Sequence, residues 1–240
     1  MLCDMSIDYY SRLEQPRGPH PSEQMLGALA RGLRLSIEER DHLFQLAGYS
    51  APHRSADADH INPGMMRIFD GLQDAAAQVV SHLGETMLQT RLSVALLGDE
   101  SVYTGPARSM HFRWFTDPAT RLIYPQEDRP TQSRDIVADL HASYTRDGKA
   151  SRASAIIDAL LATSPEFASL WQEHPVADPY CGPKRLQHPQ VGVLELYCQR
   201  LIDPDQSQLL VVYTASAGTE SYEKMQLLSV IGGQRIYEDS

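Results

Sequence analysis

Ser221-Tyr222-Glu223-Lys224 has the S-x-x-K spacing that lets a lysine draw the proton from a serine nucleophile. No S-D-N or K-T-G run follows it, and the chain has no G-x-S-x-G, no HExxH and no Walker loop. A lone match on a C-terminal helical segment means little without that context, so the chain reads as no enzyme. The nine His are scattered, and none pairs at helical metal-ligand spacing beside a carboxylate, so neither metal nor cofactor is expected. One basic cluster stands in the second half: Lys184, Arg185 and His188 in GPKRLQHPQ. It could anchor a carboxylate head group, or mark a solvated approach to the strand that follows.

A different chemistry is offered near the start, in SIDYYSRLEQ. Ile7, Tyr10 and Leu13 share one face of a helix beginning after Ser6, a plausible N-cap. Asp8, Tyr9, Ser11, Arg12 and Gln15 then face outward. Arg can fork onto guanine or phosphate, and Gln and Ser can contact base edges or backbone. The candidate DNA-reading set is Ser6, Tyr9, Ser11, Arg12 and Gln15, with Arg17 on phosphate and His20 beside it. The plainer alternative is an amphipathic helix with an Asp8–Arg12 i,i+4 pair on a solvated face.

These residues need elements to hold them. Pro16 and Gly18 stop the first helix, and PRGPHP forms a rigid turn. Ser22 caps a second helix with a stripe of Met25, Leu26, Leu29, Ala30 and Leu33. Ser36 and Glu39 form a capping box for a third, carrying Leu43, Phe44 and Leu46 and ending at Gly48. Residues 49–62 lack apolar periodicity and read as a linker. Pro63 opens a helix carrying Met66, Phe69 and Leu72. Residues 77–82 and 86–97 are ambiguous between strand and helix. The stretch 110–124 is dense in aromatics: Phe112, Trp114, Phe115 and Tyr124. Helices are expected near 131–145, 151–163 and 165–173, the last with Ser164 as cap and Pro165 at its first position. VGVLELYCQRL (191–201) and QLLVVYTAS (208–216) are β-rich, with Leu194 and Leu196 opposite Val193 and Tyr197. A last helix lies near 219–230.

The charge of -10 favours solubility and argues against a broad nucleic-acid or membrane field. Residues 1–50 hold five Arg and no Lys against seven acidic residues, so DNA reading there would rest on a few placed Arg side chains. Three Cys without CxxC spacing suit the reducing cytosol. No run of apolar residues is long enough to span a bilayer, and no secretory signal is evident.

The run SIDYYSRLEQPRGPHPSEQMLGALARGLRLSIEERDHLFQLAG resembles the helix-turn-helix of Xre-type bacterial regulators, in the subgroup fused to an MmyB-like ligand-binding domain. FTDPATRLIY (115–124), SPEFASLWQEH (164–174), GPKRLQHPQVGVLELYCQRL (182–201) and LLVVYTASAGTES (209–221) are similar to that domain's pattern. The resemblance implies an α+β chain: a partial all-α helix-turn-helix bundle over 1–50, a linker at 51–60, a PAS-like α/β sensor over 61–232 and a tail at 233–240. It further implies a cytoplasmic, homodimeric regulator that binds operator DNA and senses a small apolar, fatty-acid-like ligand. The candidate pocket residues are Phe112, Trp114, Phe115, Leu194, Leu196 and Val212, with Trp171 on the same wall; the alternative is that these side chains simply fill a core.

Two departures from the pattern carry expectations. Ser6–Gln15 resembles the family's recognition helix, which two more helices normally precede, whereas this chain begins at the turn before it. A helix of nine or ten residues is marginal without such support. The alternative function is therefore a ligand-binding or dimerising partner that does not itself read DNA. In the sensor, Gln89-Thr90 stands where relatives carry Trp-Asn, and Pro125-Gln126-Glu127-Asp128 where they carry Asp-Trp-Glu. Loss of two large aromatics is expected to reshape the cavity.

Overall fold

The computed structural model describes residues 7–13, 20–49, 61–149, 151–176, 182–203 and 208–238. The chain divides into two compact units, Met1–Arg54 and Ser55–Ser240.

In the first unit, α1 (Ile7–Leu13), α2 (Glu23–Gly32) and α3 (Ile37–Leu46) follow the expected order. The Ser22 hydroxyl accepts the Met25 amide and starts α2. The α3 capping box closes in both directions: Glu39 N donates to Ser36 Oγ at 3.2 Å, and Ser36 N donates to Glu39 Oε2 at 2.7 Å. Leu26, Leu29, Ala30 and Phe44 are buried. Leu33 and Leu46, expected on the apolar stripes, are exposed because each lies at a helix C-terminus, where the chain turns away. The turn after α2 is closed by Leu35 N donating to Ala30 O across Arg34, whose φ is 53°.

The second unit is α+β. It begins with α4 (Pro63–Asp70), capped by the Asn62 side chain with Pro63 at its first position. β1 (Ala76–Ser81), β2 (Thr86–Gln89), β3 (Pro183–His188), β4 (Gly192–Ile202) and β5 (Gln208–Thr214) form one antiparallel sheet in the order β2-β1-β5-β4-β3. Between β2 and β3 run α5 (Arg91–Leu97), α6 (Met110–Thr116), α7 (Arg129–Asp147), α8 (Arg152–Thr163) and α9 (Pro165–Gln172), with short 3-10 turns around α6. α10 (Glu220–Glu238) ends the chain and packs against α5 and β4. The Ser164 hydroxyl caps α9 as its sequence implies.

The two ambiguous stretches resolve differently. The first, AAQVVS, pairs with β5 along its whole length and is a strand. The second is split by Thr90: TMLQ pairs with β1, and RLSVALL is helical. The apolar face of α4 is set by Met65 and Phe69; the expected Met66 and Leu72 are only half-buried.

Alternation along the strands gives the sheet two unlike faces. Leu186, Leu194, Leu196, Cys198, Leu209, Val211 and Tyr213 share one core with α5 to α10. Ala77, Val79 and Leu210 share a second, smaller core with Met65 and Phe69 of α4. Each wholly buried leucine of this kind contributes about 1.5–3 kcal/mol relative to exposure.

Gln89 and Thr90 clamp the β2–α5 corner. Thr90 is 1% exposed; its Oγ1 accepts from Ala77 N at 3.0 Å and from Ser93 N at 3.2 Å, and donates to Ala75 O at 2.6 Å. Gln89 holds the 98–100 turn, donating to Gly98 O and accepting from Glu100 N at 2.8 Å. Neither residue lines the cavity described below, so both act on the scaffold. Replacing Thr90 by the isosteric valine removes a helix cap and leaves buried backbone groups unpaired. We expect a loss of roughly 2–4 kcal/mol, read as a lowered denaturant midpoint at unchanged slope.

Candidate ligand cavity

Between the larger core face of the sheet and helices α6 and α7 lies a cavity of about 610 Å³, within the ordinary range for a small-molecule site. Its apolar wall comes from Val80, Leu97, Met110, Trp114, Ile123, Ile136, Leu209 and Val211. Its polar wall includes His111, Gln132, Asp135, Asp139, Lys184, Arg200 and Tyr213. The site is thus amphiphilic, where the sequence suggested an apolar one.

Trp114 is 0% exposed, and its placement is heavily constrained. Its Nε1 donates to Ser133 Oγ at 2.8 Å, and that hydroxyl donates to Glu166 Oε1 at 2.9 Å. Arg121 closes the circuit, donating from Nη2 to Glu166 Oε2 and from Nε to the Trp114 carbonyl, both at 2.7 Å. Tyr124 meets the indole edge-on at 5.6 Å. A cavity-wall side chain is therefore wired through α7 to the first turn of α9.

Lys184 sits on the edge strand β3, and its Nζ donates to Gln132 Oε1 of α7 at 3.0 Å. Burial opposes its charge, but neighbouring Tyr124, Cys198 and Asp135 outweigh that and hold its pKa above the ordinary lysine value. It is a half-buried ammonium bonded to a neutral amide, with donors to spare. Arg185 is different: Asp128 holds it bidentately at 2.9 and 2.6 Å. His188 is structural, bonded to Ala95 O at 3.0 Å and accepting from Gln190 N. The basic cluster is thus one strand with three separate duties.

Towards the β2 edge of the sheet, Arg113 of α6 fixes the wall near Leu97. It is buried, donates to Ala107 O at 2.5 Å, pairs with Glu100 and stacks 3.7 Å over Tyr103. Burial raises the Glu100 pKa, which Arg113 partly offsets.

His111, missed by sequence reasoning, is 6% exposed and lies on the cavity wall. Gly84 allows this: its φ is +71°, and a Cβ there would stand 2.9 Å from the imidazole. Its only advance signal was a histidine among aromatics on α6.

Of the residues proposed from sequence, Trp114 alone of six lines the cavity. Phe112 and Phe115 pack at the core's margin, Phe115 edge-on to Phe167 at 5.1 Å. Leu194 and Leu196 are core residues with no exposure. Val212 corrects the expectation outright: it lies on the opposite face, against the α4 core, because it is one residue out of phase with Val211. Trp171 stacks on His141 at 3.6 Å, outside the cavity wall. Pro125, Gln126 and Glu127 do not line the cavity, whereas Asp128 does.

On the DNA-reading candidates, Ser11 and Arg12 are exposed on α1, as their expected role requires. Ser6, Gln15 and Arg17 lie outside the described residues, as does the side chain of Tyr9. His20 is exposed and meets Tyr49 edge-on at 5.8 Å.

Ser221 and Lys224 each bind the β4 backbone. Ser221 Oγ accepts from Glu195 N at 2.8 Å, and Lys224 Nζ donates to Val193 O at 2.7 Å. Their S-x-x-K spacing pins α10 to the sheet. Among the described residues, no cluster of three or more His, Cys, Asp or Glu is placed to hold a metal ion. No helix among them is long and apolar enough to cross a membrane.

Burial drives the His111 pKa down to about 4, with Asp139 opposing and Arg200, His82 and Arg113 assisting. Its unfolded value is near 6.5, so the unfolded state takes up the proton first as pH falls. Folded stability contributed by keeping this ring neutral is full above about pH 6.5 and is lost progressively towards pH 4, by roughly 3 kcal/mol. The unfolding free energy, measured by denaturant titration as pH is lowered across that window, should fall less steeply for His111→Leu than for the wild type.

No curated protein matches the chain. The profile of the MmyB-like transcription regulator ligand binding domain does, over residues 61–228, the span that contains the whole sheet, α4 to α9, the start of α10 and the cavity. The chain belongs to that family.

Proposed function

We propose that this chain is a DNA-binding transcriptional regulator whose PAS-like second unit senses an amphiphilic carboxylic acid of the fatty-acid kind. The observation that carries the ligand reading is the pairing of Lys184 with the apolar part of an amphiphilic enclosure. A half-buried ammonium bonded to a neutral amide has donors suited to a carboxylate, and Val80, Ile136, Leu209 and Val211 offer a hydrocarbon tail an apolar lining. The antiparallel sheet with helices on its larger core face supports the PAS-like reading.

Transmission follows from the Trp114 circuit. A tail that displaces the indole must break its bond to Ser133 and disturb Glu166 and Arg121, shifting α7 and α9 between two packings. In a homodimer, such a shift would change the spacing of two α1 helices that must meet half-sites about 34 Å apart. Operator contact is assigned to Ser6, Tyr9, Ser11, Arg12 and Gln15, with Arg17 on phosphate.

Each half of the proposal has its own test. Calorimetric titration of the full chain with dodecanoate should show saturable binding, weakened roughly 10- to 100-fold in Lys184→Met. Equal affinity in the two proteins removes Lys184 as the anchor. Arg12→Ala should weaken binding to a promoter fragment by about 1–3 kcal/mol in gel-shift titrations at fixed salt. Unchanged binding, or none by either protein, contradicts the operator assignment.

A further inference from the structure

The cavity has a second polar pole that a simple fatty acid does not use. His111 sits on the wall beside Gly84, in the turn joining β1 to β2, while Lys184 belongs to β3 at the opposite edge of the sheet. Three strand spacings separate β1 from β3, about 14 Å. Buried polar groups nearly always find partners, since leaving one unmade forfeits its solvation with no return. Yet His111 Nδ1 is buried with no hydrogen-bond partner among the described residues. Nearby charges do not fill the role: Arg200 engages Asp139 at 3.2 Å and His82 engages Asp147 at 2.7 Å, while Arg113 is taken up by Ala107, Arg108 and Glu100. Nδ1 is itself sealed from the cavity, so a molecule there would meet the ring, which lies on the cavity wall against a glycine that leaves it room, at Nε2, which also has no hydrogen-bond partner among the described residues.

We propose that His111 is a specificity-determining residue that hydrogen-bonds a hydroxyl at the far end of the bound molecule, so that the preferred ligand is a hydroxylated long-chain acid. This rests on the acid-sensing reading above. A hydroxyl suits the site because it both donates and accepts, and so satisfies a neutral imidazole in either tautomer. A second carboxylate would not: it only accepts, it brings a full charge into a buried site, and the Asp139 carboxylate already acts on this ring.

The test compares two probes, dodecanoate and ω-hydroxydodecanoate, by calorimetry on the full chain. The wild type should prefer the hydroxy acid about tenfold. His111→Leu should bind dodecanoate at least as well as the wild type and lose the preference, while His111→Gln, which keeps a hydrogen-bonding group, should retain part of it. If the wild type binds both acids alike, as it would with a water satisfying the ring, or if His111→Leu keeps the preference, the inference is overturned and acid sensing stands. If neither acid binds the wild type, both fall together.

Discussion

An indole cannot be buried without a home for its N–H, and the sensor is arranged around meeting that demand for Trp114. The acceptor is a serine on α7, whose own hydrogen needs a carboxylate, whose charge needs an arginine, which returns to the Trp114 carbonyl. Four residues from α6, the following 3-10 turn, α7 and α9 thereby fix one another. Removing Ser133 leaves the buried indole N–H without its acceptor, and removing Glu166 leaves the buried Ser133 hydroxyl without one, each costing more than the bond contributes, whereas the Arg121–Glu166 pair is partly solvated. These bonds tie the cavity wall to α7 and α9.

The sheet supplies the complementary constraint. Its larger core face carries the cavity floor, while on the other face α4 covers β1 and β5. On the uncovered part of that second face, Val193, Tyr197 and Leu201 are exposed along β4. Because the side-chain period is two, the same strand that seals the core with Leu194 and Leu196 presents these residues outward.

Much of the scaffold was legible in the sequence. The caps at Ser22, Ser36 and Ser164 mark helix starts because a short hydroxyl side chain has one good use there. β4 and β5 announce themselves by β-branched and aromatic runs. β3 did not, since PKRLQH has one large aliphatic residue and a polar or charged neighbour at nearly every other position. Its pairing with β4 makes it a strand. The cavity was harder still. Aromatic density pointed to Phe112 and Phe115, but helical phase turns them to the core's margin and brings Trp114 to the wall. Val211 and Val212 are indistinguishable as residue types, and only register assigns one to the cavity and the other to α4. Lys184 was visible as a cation, yet its inward aim depends on its place beside Leu196 in the β3–β4 ladder.

On the proposed function, the enclosure between sheet and helices holds an amphiphilic acid. Native mass spectrometry of the full chain, as purified and after incubation with dodecanoate, tests it most directly. A one-to-one complex that survives desalting is expected in the wild type and should be depleted in Lys184→Met. A wild-type protein seen only in its unbound mass, even at saturating dodecanoate, would contradict it.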